Sequence, residues 1–193
     1  MTDQPGTRAE TAVSVYEEPD HRPCLTNEWV HAYRVVLPAG KSTLWHRHER
    51  NTIYLSLRAA TGRQDFVAAD PIVSDVPCGL AIPRQHGEEP LTHRVSNVGT
   101  SLFFMVGIEF HSRPGITRTD PVKGRGWDVI LETSACRVYR LRDAIGPREF
   151  DRFGMKVAMD AAPFGDSSDL VQWMEPGTPA PANFPDGFFV ELI

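Results

Sequence analysis

Three histidines carry the chemistry this sequence is equipped for. His46 and His48 stand two residues apart in the stretch Gly40-Lys41-Ser42-Thr43-Leu44-Trp45-His46-Arg47-His48. That stretch reads as strand, and side chains at i and i+2 of a strand leave the same face. His93 lies further on, in His93-Arg94-Val95-Ser96-Asn97, just before the turn Asn97-Val98-Gly99. If the strand of His93 faces the strand of the pair, three imidazoles converge. Neutral imidazole is the commonest protein ligand for a divalent metal. Three neutral ligands leave the full dipositive charge on such an ion and open positions around it, the arrangement of catalytic rather than structural metals. The ion could then bind an anionic substrate, acidify water or, as iron, engage dioxygen. Imidazole suits iron, zinc, copper and nickel alike, so the spacing does not select among them.

The elements that would position these residues are short strands. Val13-Ser14-Val15-Tyr16 reads as a first strand, and Pro19, Asp20 and Pro23 then break the chain. Trp29 to Leu37 is rich in β-branched and aromatic residues, and Pro38-Ala39-Gly40 turns it into the histidine strand. Thr52 to Leu57 follows, then a turn around Gly62. Asp65 to Ala68 and Ile72 to Val76 are weaker strands, Gly79 to Pro83 runs from strand into turn, and His93 to Asn97 and Leu102 to Phe110 complete the set. Many short strands with Gly and Pro punctuation predict an all-β antiparallel sandwich or barrel.

Strand alternation assigns roles around the histidines. Tyr54 is expected to line the cavity and offer a phenol to the reaction, as the catalytic candidate. Arg34 is a candidate for holding a substrate carboxylate bidentately, and Phe103 and Met105 alternate on the last strand as cavity walls that touch substrate. Arg47, Arg94 and Trp45 should turn away from the metal. Thr52 reads as a plain strand threonine rather than a weak fourth ligand, and His86 as a solvated loop histidine. His21, His31 and His111 have no partner at ligand spacing.

Composition bounds the function. The chain has 193 residues, 41% of them hydrophobic, enough for a packed core. Its formal net charge of -5, from 20 basic and 25 acidic residues, argues against nucleic-acid binding and offers no basic face to a membrane. No apolar run reaches the length of a membrane span, and the polar start Met1-Thr2-Asp3-Gln4-Pro5-Gly6 has no signal-peptide core. Cys24, Cys78 and Cys136 are odd in number and widely spaced, as expected of reduced thiols in a cytoplasmic protein.

A weak internal repeat organises the rest. Tyr33-Arg34-Val35 up to Gly40 has a counterpart in Tyr139-Arg140-Leu141 up to Gly146. Extending the match puts Arg152 at the place of His46 and Gly154 at that of His48, and the final Gly187 to Ile193 echoes Phe103 to Phe110. The expected division is a loose arm over 1–12, a metal-binding barrel over 13–112, a linker over 113–129 and a shortened second copy without ligands over 130–193. The run Pro176-Gly177-Thr178-Pro179-Ala180-Pro181 is expected as a rigid loop.

These residues together resemble the cupin superfamily. Its first motif places a glycine, five residues, His-x-His, then a glutamate and a later glycine, and Gly40, His46, His48 and Gly62 match it. Its second motif ends in a histidine followed after three residues by an asparagine, as His93 and Asn97 do. The resemblance covers roughly residues 28 to 110. It departs at the motif glutamate, which would fall on Thr52 or Ile53, and at a missing Pro-x-Gly. Without the glutamate the site resembles three-histidine cupins such as the thiol dioxygenases. The resemblance implies a jelly-roll (double-stranded β-helix) barrel, a homodimer, and one divalent ion, Fe(II) before Zn(II) or Ni(II). It implies an Fe(II) dioxygenase of a small organic acid, thiol or aromatic metabolite. A non-redox isomerase, lyase or hydrolase using Zn(II), or a non-catalytic ligand-binding cupin, are the alternatives. The expected partner is a small-molecule substrate.

Overall fold

The computed structural model describes residues 11–115, 120–145, 151–179 and 183–193. Among them the chain is almost entirely strand. Ten strands make the first half: β1 (Val13–Ser14), β2 (His21–Thr26), β3 (Val30–Leu37), β4 (His46–His48), β5 (Thr52–Ser56), β6 (Ala60–Phe66), β7 (Ile72–Val76), β8 (Ala81–Arg84), β9 (Leu91–Asn97) and β10 (Phe103–Phe110). They form two five-stranded sheets, ordered β1-β4-β9-β6-β7 and β2-β3-β10-β5-β8. From β3 onward the chain crosses repeatedly from one sheet to the other, which is the jelly-roll pattern of two Greek keys. By contact, residues 1–23 and 33–109 form one compact unit and residues 24–32 and 110–193 a second.

The strands follow from their sequences. β3 and β10 lie inside their sheet, and both faces of each are covered. Their near-continuous runs of Val, Leu, Ile, Phe and Tyr are what such strands require. β4 alternates instead, with His46 and His48 buried and Arg47 exposed. Pro23 does not break the chain; it lies within β2, at the edge of its sheet, where a missing N–H costs no ladder bond. Gly62 is not in a turn either. It lies inside β6 opposite Asn97 and Ser74, and a Cβ there would sit 3.2 Å from Phe103 Cε2. The glycine makes room for the phenylalanine.

The motif asparagine has a structural task. Asn97 is fully buried; its Nδ2 donates to the carbonyls of Leu37 (2.8 Å) and Ser101 (2.7 Å), and its Oδ1 accepts from Gly99 N at 3.1 Å. The carbonyl of Asn97 also accepts from Gly40 N at 2.9 Å. Gly40 has φ +77°, a conformation that favours glycine. One residue thus ties the turn before the histidine pair, through its backbone carbonyl, and the end of β3, through its side chain, to the strand of the third histidine.

The second half comprises β11 (Trp127–Glu132), β12 (Cys136–Leu141), β13 (Ala144–Ile145), β14 (Gly154–Ala158), the helical turn α1 (Ser167–Leu170), β15 (Val171–Met174), β16 (Asn183–Phe184) and β17 (Gly187–Leu192). Its main sheet runs β11-β12-β17-β14-β15, with β13 and β16 paired separately. Strand for strand this order repeats β2-β3-β10-β5-β8, and β13 with β16 stands for β4 with β9. Among the described residues no strands correspond to β6 and β7, and α1 occupies that place in the sequence. The second half is therefore a degenerate copy of the first. The interior is filled by Trp127, Tyr139, Leu141, Met174, Phe184 and Phe189.

The spacing of the repeat is not constant. Tyr33 and Tyr139 match at an offset of 106 residues, but Glu109 pairs with Thr52 as Glu191 pairs with Gly154, which sets Gly154 102 residues after Thr52 and Glu191 82 residues after Glu109. Arg152 therefore stands at the place of Arg50, not of His46. Gly146, residues 1–10 of the expected arm, residues 116–119 of the expected linker and the end of the Pro-rich run lie outside the described residues. No helix among the described residues is long and apolar enough to cross a membrane. Cys24, Cys78 and Cys136 are all free thiols.

Candidate metal centre

The site is assembled by cross-strand pairing in the first unit. β4 runs antiparallel to β9, and the register sets His46 opposite His93. His48 follows two residues on with its side chain on the same face. The imidazole centroids lie 4.6 Å apart for His46 and His93, 4.9 Å for His46 and His48, and 5.2 Å for His48 and His93. One ring nitrogen from each lies within 4.8 Å of those of the other two, and all three residues are buried. The three expected ligands are brought together.

Hydrogen bonding fixes which nitrogen each ring presents. His46 Nδ1 lies 2.9 Å from the Leu44 carbonyl, His48 Nδ1 3.4 Å from Glu109 Oε1 and His93 Nδ1 3.3 Å from Gln64 Oε1. Each of those oxygens can only accept, so each Nδ1 carries the proton and each Nε2 keeps its lone pair. His46 Nε2 and His93 Nε2 are buried without a hydrogen-bond partner. His48 Nε2 has only the Tyr54 hydroxyl, at 3.5 Å. Buried acceptors left without donors are costly, and a divalent cation would satisfy all three. The donor set fits a metal. It would be held by His46, His48 and His93 through Nε2, with a backbone carbonyl, a carboxylate and an amide orienting the rings from behind.

Electrostatics agree with that assignment. Burial, with the neighbouring His48 second, lowers His46 to about 3, and burial with the adjacent imidazoles holds His93 well below the usual histidine range. Neutral imidazole is the form that coordinates. Glu18 secures the approach to β4: its buried carboxylate accepts from Leu44 N at 2.9 Å and Asp20 N at 2.6 Å.

Around the centre lies a cavity of about 90 Å³. Tyr54, Phe103 and Met105 line it, as do Val35, Gly62, Gln64, Ile82 and Arg84. Tyr54 sits with its hydroxyl 3.4 Å from His48 Nδ1, and burial raises its pKa. Arg34 is not among the lining residues. Val35 faces the cavity, and alternation along β3 turns Arg34 to the other side. Thr52 donates to the carbonyl of Arg50 at 2.8 Å, as a strand threonine does. Arg47 pairs with Glu49, Arg94 pairs with Asp65 and stacks over Trp45, and none of the three faces the site.

Sequence spacing misses four neighbours of the centre. His86 is buried rather than solvated, stacked on His48 at 5.1 Å, and lowered to about 4 mainly by burial. His21 is buried edge-on to His46 at 4.6 Å and stacked on Tyr33 at 4.8 Å. Neither has a sequence signal, because each arrives from a strand or loop far from the motifs. Glu109 had one: the alternation of Phe103 and Met105, carried two steps further, reaches it. Arg84 had one too, sharing the Ile82 face of β8, but Pro83 disguised the strand as a turn.

No family model matches the chain, and no curated protein does. Solved structures that match include a cupin domain from Bordetella pertussis Tohama I, with 23% identity and a TM-score of 0.44 over 50% of this chain and 98% of that one. A protein with a double-stranded β-helix domain from Klebsiella pneumoniae matches at 14% identity and a TM-score of 0.37, over 52% of this chain and 84% of that one. A cupin 2 conserved barrel domain protein from Salinispora arenicola matches at 16% identity and a TM-score of 0.33, over 48% and 71%.

Proposed function

We propose that the chain is a mononuclear metal enzyme, an Fe(II) dioxygenase of a small organic metabolite. The observation that carries this is the trio of buried Nε2 atoms, each ring held from behind through a protonated Nδ1. Three neutral ligands give an ion no compensating charge and leave it open positions, so a bound Fe(II) would supply Lewis acidity and dioxygen chemistry.

The chain's own residues do the rest. Glu109 and Gln64 keep two of the imidazoles in the metal-binding tautomer and fix their orientation. Tyr54 stands beside His48 with a raised pKa, so at neutral pH its hydroxyl is a proton donor to whatever lies next to it. Phe103, Met105 and Val35 exclude water from the apolar side of the cavity. The partner is a small molecule, and a homodimer in the cytoplasm belongs to the same proposal.

The test is metal analysis of protein purified without added metal, followed by oxygen-electrode measurements with panels of small acids, thiols and aromatics. Bound iron with substrate-dependent O2 uptake is expected. Zinc with no O2 uptake replaces this reading with a Lewis-acid isomerase, lyase or hydrolase, and failure to bind any divalent metal leaves a ligand-binding protein.

A further inference from the structure

The cavity has one cationic side chain that the metal reading does not use. Arg84 lines it from β8, where cross-strand register sets Arg84 opposite Thr52 and Ile82 opposite Tyr54. Arg84 and Ile82 share the face that looks on the cavity. Its Nη1 donates to the Pro83 carbonyl at 2.9 Å, and among the described residues no carboxylate pairs with it. Three other arginines of this unit have carboxylate partners: Arg63 and Arg94 with Asp65, and Arg47 with Glu49. No aspartate or glutamate lines the cavity. In a chain of net charge -5, an unpaired guanidinium at an acid-free opening is a recognition element for an anion.

The rest of the lining narrows the anion. The wall is apolar at Val35, Val76, Ile82, Val95, Phe103 and Met105. One water needs roughly 10–15 Å³ by this kind of measure, and the cavity holds about 90 Å³. That is room for on the order of six to nine water-sized groups. Gln64 adds its amide N–H groups, its oxygen being engaged by His93. Resting on the site reading given above, we propose that the cavity takes a small monocarboxylate, its charge met by Arg84 at the mouth and its short carbon chain lying against the apolar wall. Among the organic acids, thiols and aromatics of the proposed function, this selects the acids. It also moves the carboxylate-holding role from Arg34 to Arg84.

The experiment uses the full chain loaded with Co(II), whose visible absorption reports its surroundings, with butyrate as probe and butyramide as its uncharged counterpart. Metal stoichiometry is measured first. Wild type is expected to bind butyrate saturably and butyramide at least 10-fold more weakly. The Arg84→Gln variant is expected to weaken butyrate at least 5-fold while Co(II) content, thermal midpoint and butyramide binding stay unchanged. Arg84→Lys should recover part of the loss. Equal binding of butyrate and butyramide, an unchanged butyrate affinity in Arg84→Gln, or equal displacement by chloride overturns the proposal. If Co(II) does not bind, the metal reading fails separately. The same titration is then followed in metal-free protein by the Met105 methyl resonance, where a butyrate shift insensitive to Arg84→Gln, or no shift, overturns the carboxylate site.

Discussion

Glu109 on β10 and Glu191 on β17 occupy the same position in two copies of one fold, and their surroundings are opposite. Each is fully buried, and each faces the first residue of the matching neighbour strand, Thr52 or Gly154. Glu109 accepts the Tyr16 hydroxyl at 2.7 Å and faces His48 Nδ1 at 3.4 Å. Glu191 accepts from Arg137 at 3.0 Å, Tyr139 at 2.7 Å and Arg152 at 2.8 Å. The first carboxylate faces the His48 ring; the second closes a structural network of two guanidiniums and a phenol.

Glu109→Gln keeps an acceptor for His48 but removes the charge behind it. Metal affinity is expected to fall by about 10–100-fold, the usual consequence of losing such a partner. Chelator competition measures this, with the thermal midpoint of the metal-free protein as control. An affinity within twofold of wild type would show that Glu109 does not tune His48.

His48→Ala removes one of three ligands and should reduce metal content to below a tenth of an equivalent per chain. His31→Ala, outside the trio, should retain the full equivalent. Inductively coupled plasma analysis of both variants decides it, and unchanged metal in His48→Ala refutes the ligand set.

The pH dependence of the metal-stripped protein follows from its buried imidazoles. His46 and His86 are lowered to about 3 and about 4 in the folded chain, against about 6.5 when unfolded. Between those values the unfolded chain binds protons that the folded one refuses, so stability is full above about pH 6.5 and declines as pH falls toward 3. Urea midpoints from pH 7.5 to 4 should slope downward in wild type and less steeply in His86→Asn.

Glu191→Ala leaves Arg137 and Arg152 buried without their shared acceptor. Breaking a buried ionic network from one side costs about 3–5 kcal/mol. Chemical denaturation should register that loss in the second unit, and metal stoichiometry should not change. A loss below 1 kcal/mol would mean that water replaces the carboxylate.

The barrel and the meeting of its three histidines were legible because both rest on local rules. A His-x-His in a strand fixes a shared face, and Asn97 marks the strand that returns to it. What stayed hidden came through register and burial. Arg34 lies on a strand that borders the cavity, but the phase of β3 puts Val35 inward instead. His21 and His86 reach the centre from segments whose own sequence carries no periodic signal. Gly62 reads as a turn in sequence, yet it marks where Phe103 presses against the backbone. The repeat was visible at Tyr33 and Tyr139, but four residues lost before β14 and twenty more between β14 and β17 shifted the later correspondences.

All seven histidines precede residue 112, and aromatic rings fill the interior of the second copy where the first has its histidine-lined cavity: Trp127 meets Tyr139 and Phe184 edge-on at 5.4 Å and Phe189 at 5.7 Å. The polypeptide therefore brings its own negative control. A small molecule or ion that registers on the histidine-free half as strongly as on the histidine-lined one is adhering to β-sheet in general. Fluorine labels at Trp127 and Tyr54 would report the two halves from a single sample.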